Sequence, residues 1–123
     1  MVLLDSCFII DLLDADPGAV EKLNEFAWTT ASVSTLTVTE VGRGLTPTDQ
    51  ERFESIVSRI DVLPFGLEEA RRATREHRRL RREGRQIGTV DLLIASTAIE
   101  ANKTVVTRNV GEFRRTSASV TPY

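Results

Sequence analysis

Short strand-like runs alternate with helical stretches along the chain, and that alternation limits the fold more than any other feature. Val2–Leu4 is an apolar run ending in Asp5, Ala31–Ser34 and Val62–Phe65 read as two further strands, and Thr104–Thr107 as a fourth. A weak last strand is expected at Ser119–Thr121. Between them, apolar residues recur at helical spacing. Phe8, Ile9, Leu12 and Leu13 form one stripe up to the Asp16-Pro17-Gly18 break, and Val20, Leu23, Phe26 and Ala27 form the next. Leu36, Val38, Val41 and Leu45 mark a helix carrying Glu40 and ended by Gly42 and Gly44. Thr46-Pro47-Thr48-Asp49 reads as a capped helix start leading to Phe53, Ile56, Val57 and Ile60. An arginine-rich helix closed by Gly84 follows. Thr89 is the expected cap of a largely buried helix over Val90–Ala101, and Val110–Arg114 is a helical turn. Parallel strands need long crossovers, which helices supply, so the pattern predicts an α/β fold with a parallel sheet covered by helices on both faces. In such folds sites lie at the carboxyl ends of the strands.

The chain has 123 residues, the size of one domain, and no linker or repeat interrupts it, so a single unit over residues 1–123 is expected. With 41% hydrophobic and 28% charged residues, its composition is that of a chain with a packed core. The longest strongly apolar stretch, Leu92–Ile99, is far short of the ~20 residues that a membrane helix needs. No transmembrane segment is expected. The start, Met1-Val2-Leu3-Leu4-Asp5, lacks the basic region of a signal peptide, which points to a cytoplasmic location. One cysteine, Cys7, and one histidine, His77, build neither a disulfide framework nor a cysteine/histidine metal cluster within one chain. Any metal would rest mainly on oxygen ligands.

Charge is unevenly placed. Net charge is −2, yet Glu68–Arg85 carries eight arginines against four glutamates, which leaves an acidic remainder. A solvated helix laced with pairs such as Glu68 with Arg72 accounts for this, and so does a cationic surface for an anionic polymer.

The carboxylates are more specific. Asp5 ends strand one, Glu40 lies in the helix after strand two, Asp91 opens the buried helix, and Asn109 follows strand four. These positions are expected to converge on one edge of the sheet. Each acid has a plain structural use, as a turn residue, an exposed helix glutamate or a partner of the helix dipole. Asp91 stands out, because Leu92–Ala95 after it are apolar and offer it no local partner. Hard divalent cations take oxygen ligands, and Mg²⁺ is usually held by one or two carboxylates with water and substrate phosphate.

Leu3-Leu4-Asp5-Ser6, the helical Thr37-Val38-Thr39-Glu40, the string Gly88–Ala98 around Asp91, and Val105-Val106-Thr107-Arg108-Asn109 with Glu112-Phe113 together resemble the PIN-domain ribonucleases. They are most similar to the VapC toxins of prokaryotic toxin–antitoxin systems. The resemblance runs from Val2 to about Pro122. It implies a PIN-like three-layer α/β/α fold with a central, mainly parallel sheet of four or five strands. It also implies a Mg²⁺- or Mn²⁺-dependent endoribonuclease with Asp5, Glu40 and Asp91 on the metal and Asn109 as the fourth site residue. Ser6 is expected to support Asp5, and Thr107 also to have a supporting role. Glu112 is either an outer carboxylate or a cap of its helical turn. In-line attack of water on a phosphodiester, with metal charge stabilising the attacking and leaving oxygens, needs no histidine base. With an RNA substrate, Arg75, Arg78, Arg79 and Arg82 become candidates for phosphate contact. A cognate VapB-like antitoxin and a homodimer are the implied partners.

Other readings are weaker. A housekeeping PIN nuclease of RNA processing or decay shares the same acids. A phosphorylatable receiver domain expects paired acids after strand one and an acceptor aspartate after strand three, where this chain has Val62-Leu63-Pro64-Phe65. An inactive binding module leaves the full set of acids without purpose. His77 is expected to be solvated or structural, Cys7 to lack a partner that would activate it, and Trp28 and Phe26 to pack in the core.

Overall fold

Neighbouring residues on a strand point to opposite faces of its sheet, and Leu3 and Leu4 use this to build two cores. The computed structural model describes residues 1–123. Its elements are β1 (Val2–Leu4), α1 (Ser6–Leu13), α2 (Pro17–Leu23), β2 (Ala31–Ser34), α3 (Thr35–Gly42) and α4 (Pro47–Val57), followed by β3 (Asp61–Leu63), α5 (Leu67–Arg82), α6 (Thr89–Ala101), β4 (Thr104–Val106), α7 (Val110–Phe113) and β5 (Val120–Thr121). The five strands lie in the order β3-β2-β1-β4-β5. Every pairing is parallel. On one face Leu4, Val33 and Val106 meet Phe8, Ile9 and Leu13 of α1, Val41 of α3 and Phe53 of α4. On the other, Leu3 and Val105 meet Ile94, Ala95 and Ala98 of α6 and Phe113 of α7. A smaller cluster of Ala73, Leu80 and Leu92 seats α5 on α6. Emptying one such position is costly: Phe8 is fully buried, and Phe8→Ala is expected to cost about 3–5 kcal/mol.

The expected α/β/α architecture is the one observed, with differences at element ends. The second helical stripe stops at Leu23, and a 3-10 turn, Trp28–Thr30, precedes β2. The chain leaves the helix in time for Phe26 to reach Phe8, 6.2 Å away between ring centroids. Trp28 itself is only partly buried. Strand three is shifted to Asp61–Leu63, because Pro64 has no N–H with which to extend the ladder. Gly88, not Thr89, occupies the cap position of α6, and no side chain caps it. Thr46 does cap α4, accepting from the Asp49 N–H at 3.2 Å. At the end of α5, Gly84 at φ +66° lets the Arg85 N–H reach the Leu80 carbonyl at 2.8 Å.

From β1 the chain adds β2 and β3 on one side, then crosses back through α5 and α6 to lay β4 and β5 on the other side of β1, so the strand order reverses there. The crevice at such a reversal, beyond the carboxyl ends of the strands, is where open parallel sheets bind ligands. Asp5 and Thr107 lie there.

Candidate active site

Asp5 follows β1 directly, and its N–H still donates to the Val106 carbonyl at 3.0 Å, which holds it against β4. Its side chain is buried at 4% exposure. The Asp5 carboxylate accepts from the Thr107 hydroxyl at 2.7 Å and from the Cys7 thiol at 3.2 Å. Burial pushes its pKa up against those bonds, and the Glu40 charge adds to the rise.

Glu40 reaches the same edge from α3, one turn beyond Thr37. The Ser6 hydroxyl donates to Glu40 and lies 3.3 Å from the Thr37 hydroxyl. Ser6 serves two acids: its backbone N–H bonds the Asp5 carboxylate, while its hydroxyl, turned toward α3 at the start of α1, holds Glu40, and Thr107 adds the side-chain bond to Asp5.

Asp91 sits in the first turn of α6. Its partner comes from the loop after β4, where the Asn109 side-chain amide donates to it at 2.8 Å. A residue 18 positions away thus supplies what the apolar Leu92–Ala95 do not. The Asn109 N–H donates in turn to the Thr107 hydroxyl at 2.9 Å. Burial first, then the charges of Asp5, Glu112 and Glu40, push Asp91 up to about 7. The Glu112 carboxylate, in the first turn of α7, lies close enough to Asp91 to act on it.

Asp5, Glu40, Asp91 and Glu112 have no arginine or lysine in ion-pair contact. Like charges gathered without a counter-charge are costly, and an all-oxygen donor set of this kind fits a hard divalent cation. No three of these carboxylates close around a single point, so an ion here would keep water among its ligands.

Cys7, expected to lack an activating partner, has its sulfur beside Asp5, 3.4 Å from the Thr107 hydroxyl, and accepts from the Arg108 N–H, none of which activates it. Burial and the Asp5 charge push its thiol up, so it stays protonated rather than nucleophilic. Thr37 is the other residue that sequence reasoning did not single out. Its position three residues before Glu40 was the available signal, because residues at that spacing share a helix face.

The arginines of α5 separate into two groups. Arg79 bonds Glu76, Glu83 and the Arg115 carbonyl, and Arg72 bonds Glu100 at 2.8 Å. Arg75 lies 3.7 Å from Glu100, whereas Arg78 and Arg82 are exposed and unpaired. The anticipated Glu68–Arg72 pair is replaced by Glu68 with Arg71. His77 is exposed on the rim of a groove of about 470 Å³ between α5 and α6, where Arg78 and Arg81 flank a floor of Phe65, Ala73, Leu92 and Leu93.

A parallel sheet with acids gathered at the reversal of strand order is the plan of an α/β protein whose site lies beyond the carboxyl ends of its strands. Residues 2–118 match the PIN domain family, and the chain belongs to it. It is similar to ribonuclease VapC1 of Rickettsia felis, at 30% identity over 122 residues, covering 93% of this chain and 89% of that protein. Similarity to the tRNA(fMet)-specific endonuclease VapC of Shigella flexneri is also 30%, over 92% of this chain and 89% of that one. A DNA-bound VapBC structure from Salmonella typhimurium superposes with a TM-score of 0.81 at 25% identity, covering 99% of this chain and 98% of the other.

Proposed function

We propose that this protein is an endoribonuclease acting as the toxin of a toxin–antitoxin pair, with Asp5, Glu40 and Asp91 as the ligands of Mg²⁺ or Mn²⁺. The observation that carries the metal reading is the set of buried and half-buried acids at one sheet edge with hydroxyl and amide partners but no cationic side chain. Membership of the PIN-domain family and similarity to VapC ribonucleases support the nuclease class. The ion, when bound, lowers the pKa of water and offsets charge on the phosphodiester.

The protein's own residues orient the ligands. Thr107 donates to Asp5 and Asn109 donates to Asp91, so each presents a fixed carboxylate edge. Ser6 does the same for Glu40. Glu112 stands behind Asp91 as an outer carboxylate. RNA reaches this edge as a polyanion, and unpaired arginines such as Arg78 and Arg82 neutralise its phosphates. The partner is a VapB-like antitoxin, a reading supported by the likeness to a VapBC structure. We place the protein in the cytoplasm, as a homodimer.

The test is cleavage of RNA by the purified protein with added Mg²⁺ or Mn²⁺ and with excess EDTA. Cleavage that needs the ion and disappears in Asp91→Asn is expected. Undiminished cleavage in EDTA would overturn the metal assignment.

A further inference from the structure

Arg108 stands between the two residues that orient the acids, Thr107 and Asn109, and its own side chain turns the other way. Its Nη2 lies 2.9 Å from one oxygen of Asp11 and 3.1 Å from the other. Asp11 is buried at 8% exposure, and it also accepts from the Tyr123 hydroxyl at 2.6 Å. Tyr123 packs edge-on against Phe8 with centroids 5.0 Å apart. Burial and the Asp11 bond push its phenol up, so it remains a donor. The guanidinium, by contrast, is 60% exposed.

A carboxylate held in the protein, fixed by a tyrosine, thus grips one nitrogen of an exposed arginine. Arginine carries five N–H donors, so Nε and Nη1 stay available to solvent. Arg79 differs, for its donors are shared among Glu76, Glu83 and a carbonyl. Asp11 lies six residues beyond Asp5 along α1, which at 1.5 Å per residue is about 9 Å. A polyanion crossing the acidic edge at Asp5 therefore runs past a cation held nearby by Asp11.

We propose that Arg108 binds a phosphate of the substrate flanking the scissile one, and that Asp11 and Tyr123 are positioning residues that aim its guanidinium. This rests on the ribonuclease reading. It adds a specific contact, placed by buried groups on α1, to the general attraction of the α5 arginines. Because arginine meets phosphate through a planar fork, the assignment depends on geometry as well as charge.

The experiment measures binding of a labelled mixed-sequence single-stranded RNA to the full chain carrying Asp5→Asn, across a salt series, alongside Mg²⁺-dependent cleavage in the unsubstituted background. Arg108→Gln is expected to weaken binding about tenfold and to flatten the salt slope by about 0.7, the value of one phosphate contact on a single strand. It should raise KM much more than it lowers kcat. Arg108→Lys should recover the slope but only part of the affinity. Asp11→Asn separates aiming from bulk charge. Removing an acid should tighten RNA binding if only net charge counts, whereas loss of aim weakens it, and Tyr123→Phe should weaken it in the same direction. Unchanged affinity and slope in Arg108→Gln, or tighter binding in Asp11→Asn, overturns the proposal. So does a collapse of the melting temperature in Arg108→Gln, which would make the pair a structural tie. A wild-type protein that cleaves RNA in Mg²⁺ while Arg108→Gln matches it overturns this inference alone. A wild type that neither binds nor cleaves RNA overturns the ribonuclease reading with it.

Discussion

The Thr107 hydroxyl donates to Asp5 and accepts from the Asn109 N–H, so one buried side chain joins the first acid to the residue that steadies Asp91. Valine has nearly the same shape and no hydroxyl. Thr107→Val should therefore cost about 1–3 kcal/mol, the usual penalty for leaving a buried polar group unpartnered, and lower RNA cleavage at the same time. Thermal melting and a cleavage assay on the same preparation check both. Asp91→Asn keeps shape while removing a charge pushed toward protonation by its neighbours. We expect it to abolish cleavage and to leave the fold intact. A second readout is independent of activity: wild type should gain about 2.7 kcal/mol when Mg²⁺ is a hundredfold above its dissociation constant, and Asp91→Asn should gain much less. Away from the site, exposed Ala15 sits after α1 at φ +57°. A left-handed conformation costs a side chain about 1–2 kcal/mol, so Ala15→Gly should raise the unfolding midpoint in urea.

At the scale of elements, α5 is both a surface and a clamp. Glu76 is buried on it and accepts from the Ser117 N–H at 2.6 Å, the Ser117 hydroxyl at 3.0 Å and Arg79 at 3.2 Å, which fastens the helix to the segment before β5. Burial pushes the Glu76 carboxyl up, but those bonds outweigh it and hold the group below its usual value. A depressed acid binds fewer protons folded than unfolded. Its stabilisation is thus present above the unfolded value of about 4.5 and is lost as pH falls through the lowered one. Glu76→Gln should melt earlier at pH 7 and lose less between pH 6 and pH 3 than the wild type does. Arg79 belongs to this clamp, so replacing it should lower stability first. Arg78 and Arg82 are free of it, and the pair Arg78→Gln with Arg82→Gln should leave melting unchanged while reducing the salt slope of RNA binding by about 1.4.

For the molecule as a whole, the reversal of strand order at β1 and the acids gathered beside it leave one face able to act on RNA and open to obstruction. Expression of the protein alone should arrest growth of its host, and co-expression of a VapB-like partner should restore it. Asp5→Asn is the control: it should permit growth yet still bind the partner. Complementary charge makes such association fast and selective without setting its affinity. Growth unaffected by the wild-type protein, in a host lacking the partner, favours a maintenance nuclease with the same acids.

Much of this architecture is local in origin. Apolar runs of three or four residues separated by helical periodicity require crossovers, and crossovers require parallel strands; Thr46, Pro47 and Gly84 mark helix ends by their own stereochemistry. The chain itself also states which acids lie at strand ends, because position in a βα unit follows from sequence order. Hydrogen-bond partners do not follow from it. Which acid the Ser6 hydroxyl reaches depends on how α1 packs against α3, and Asp91 finds Asn109 only because β4 lies next to β1. The same holds for the arginines of α5, identical in composition yet divided by which helix face meets α6 and the Ser117 segment. Periodicity reports whether a side chain is buried or exposed. Its partner is decided by packing between elements distant in the chain, where directional bonds form only at short range.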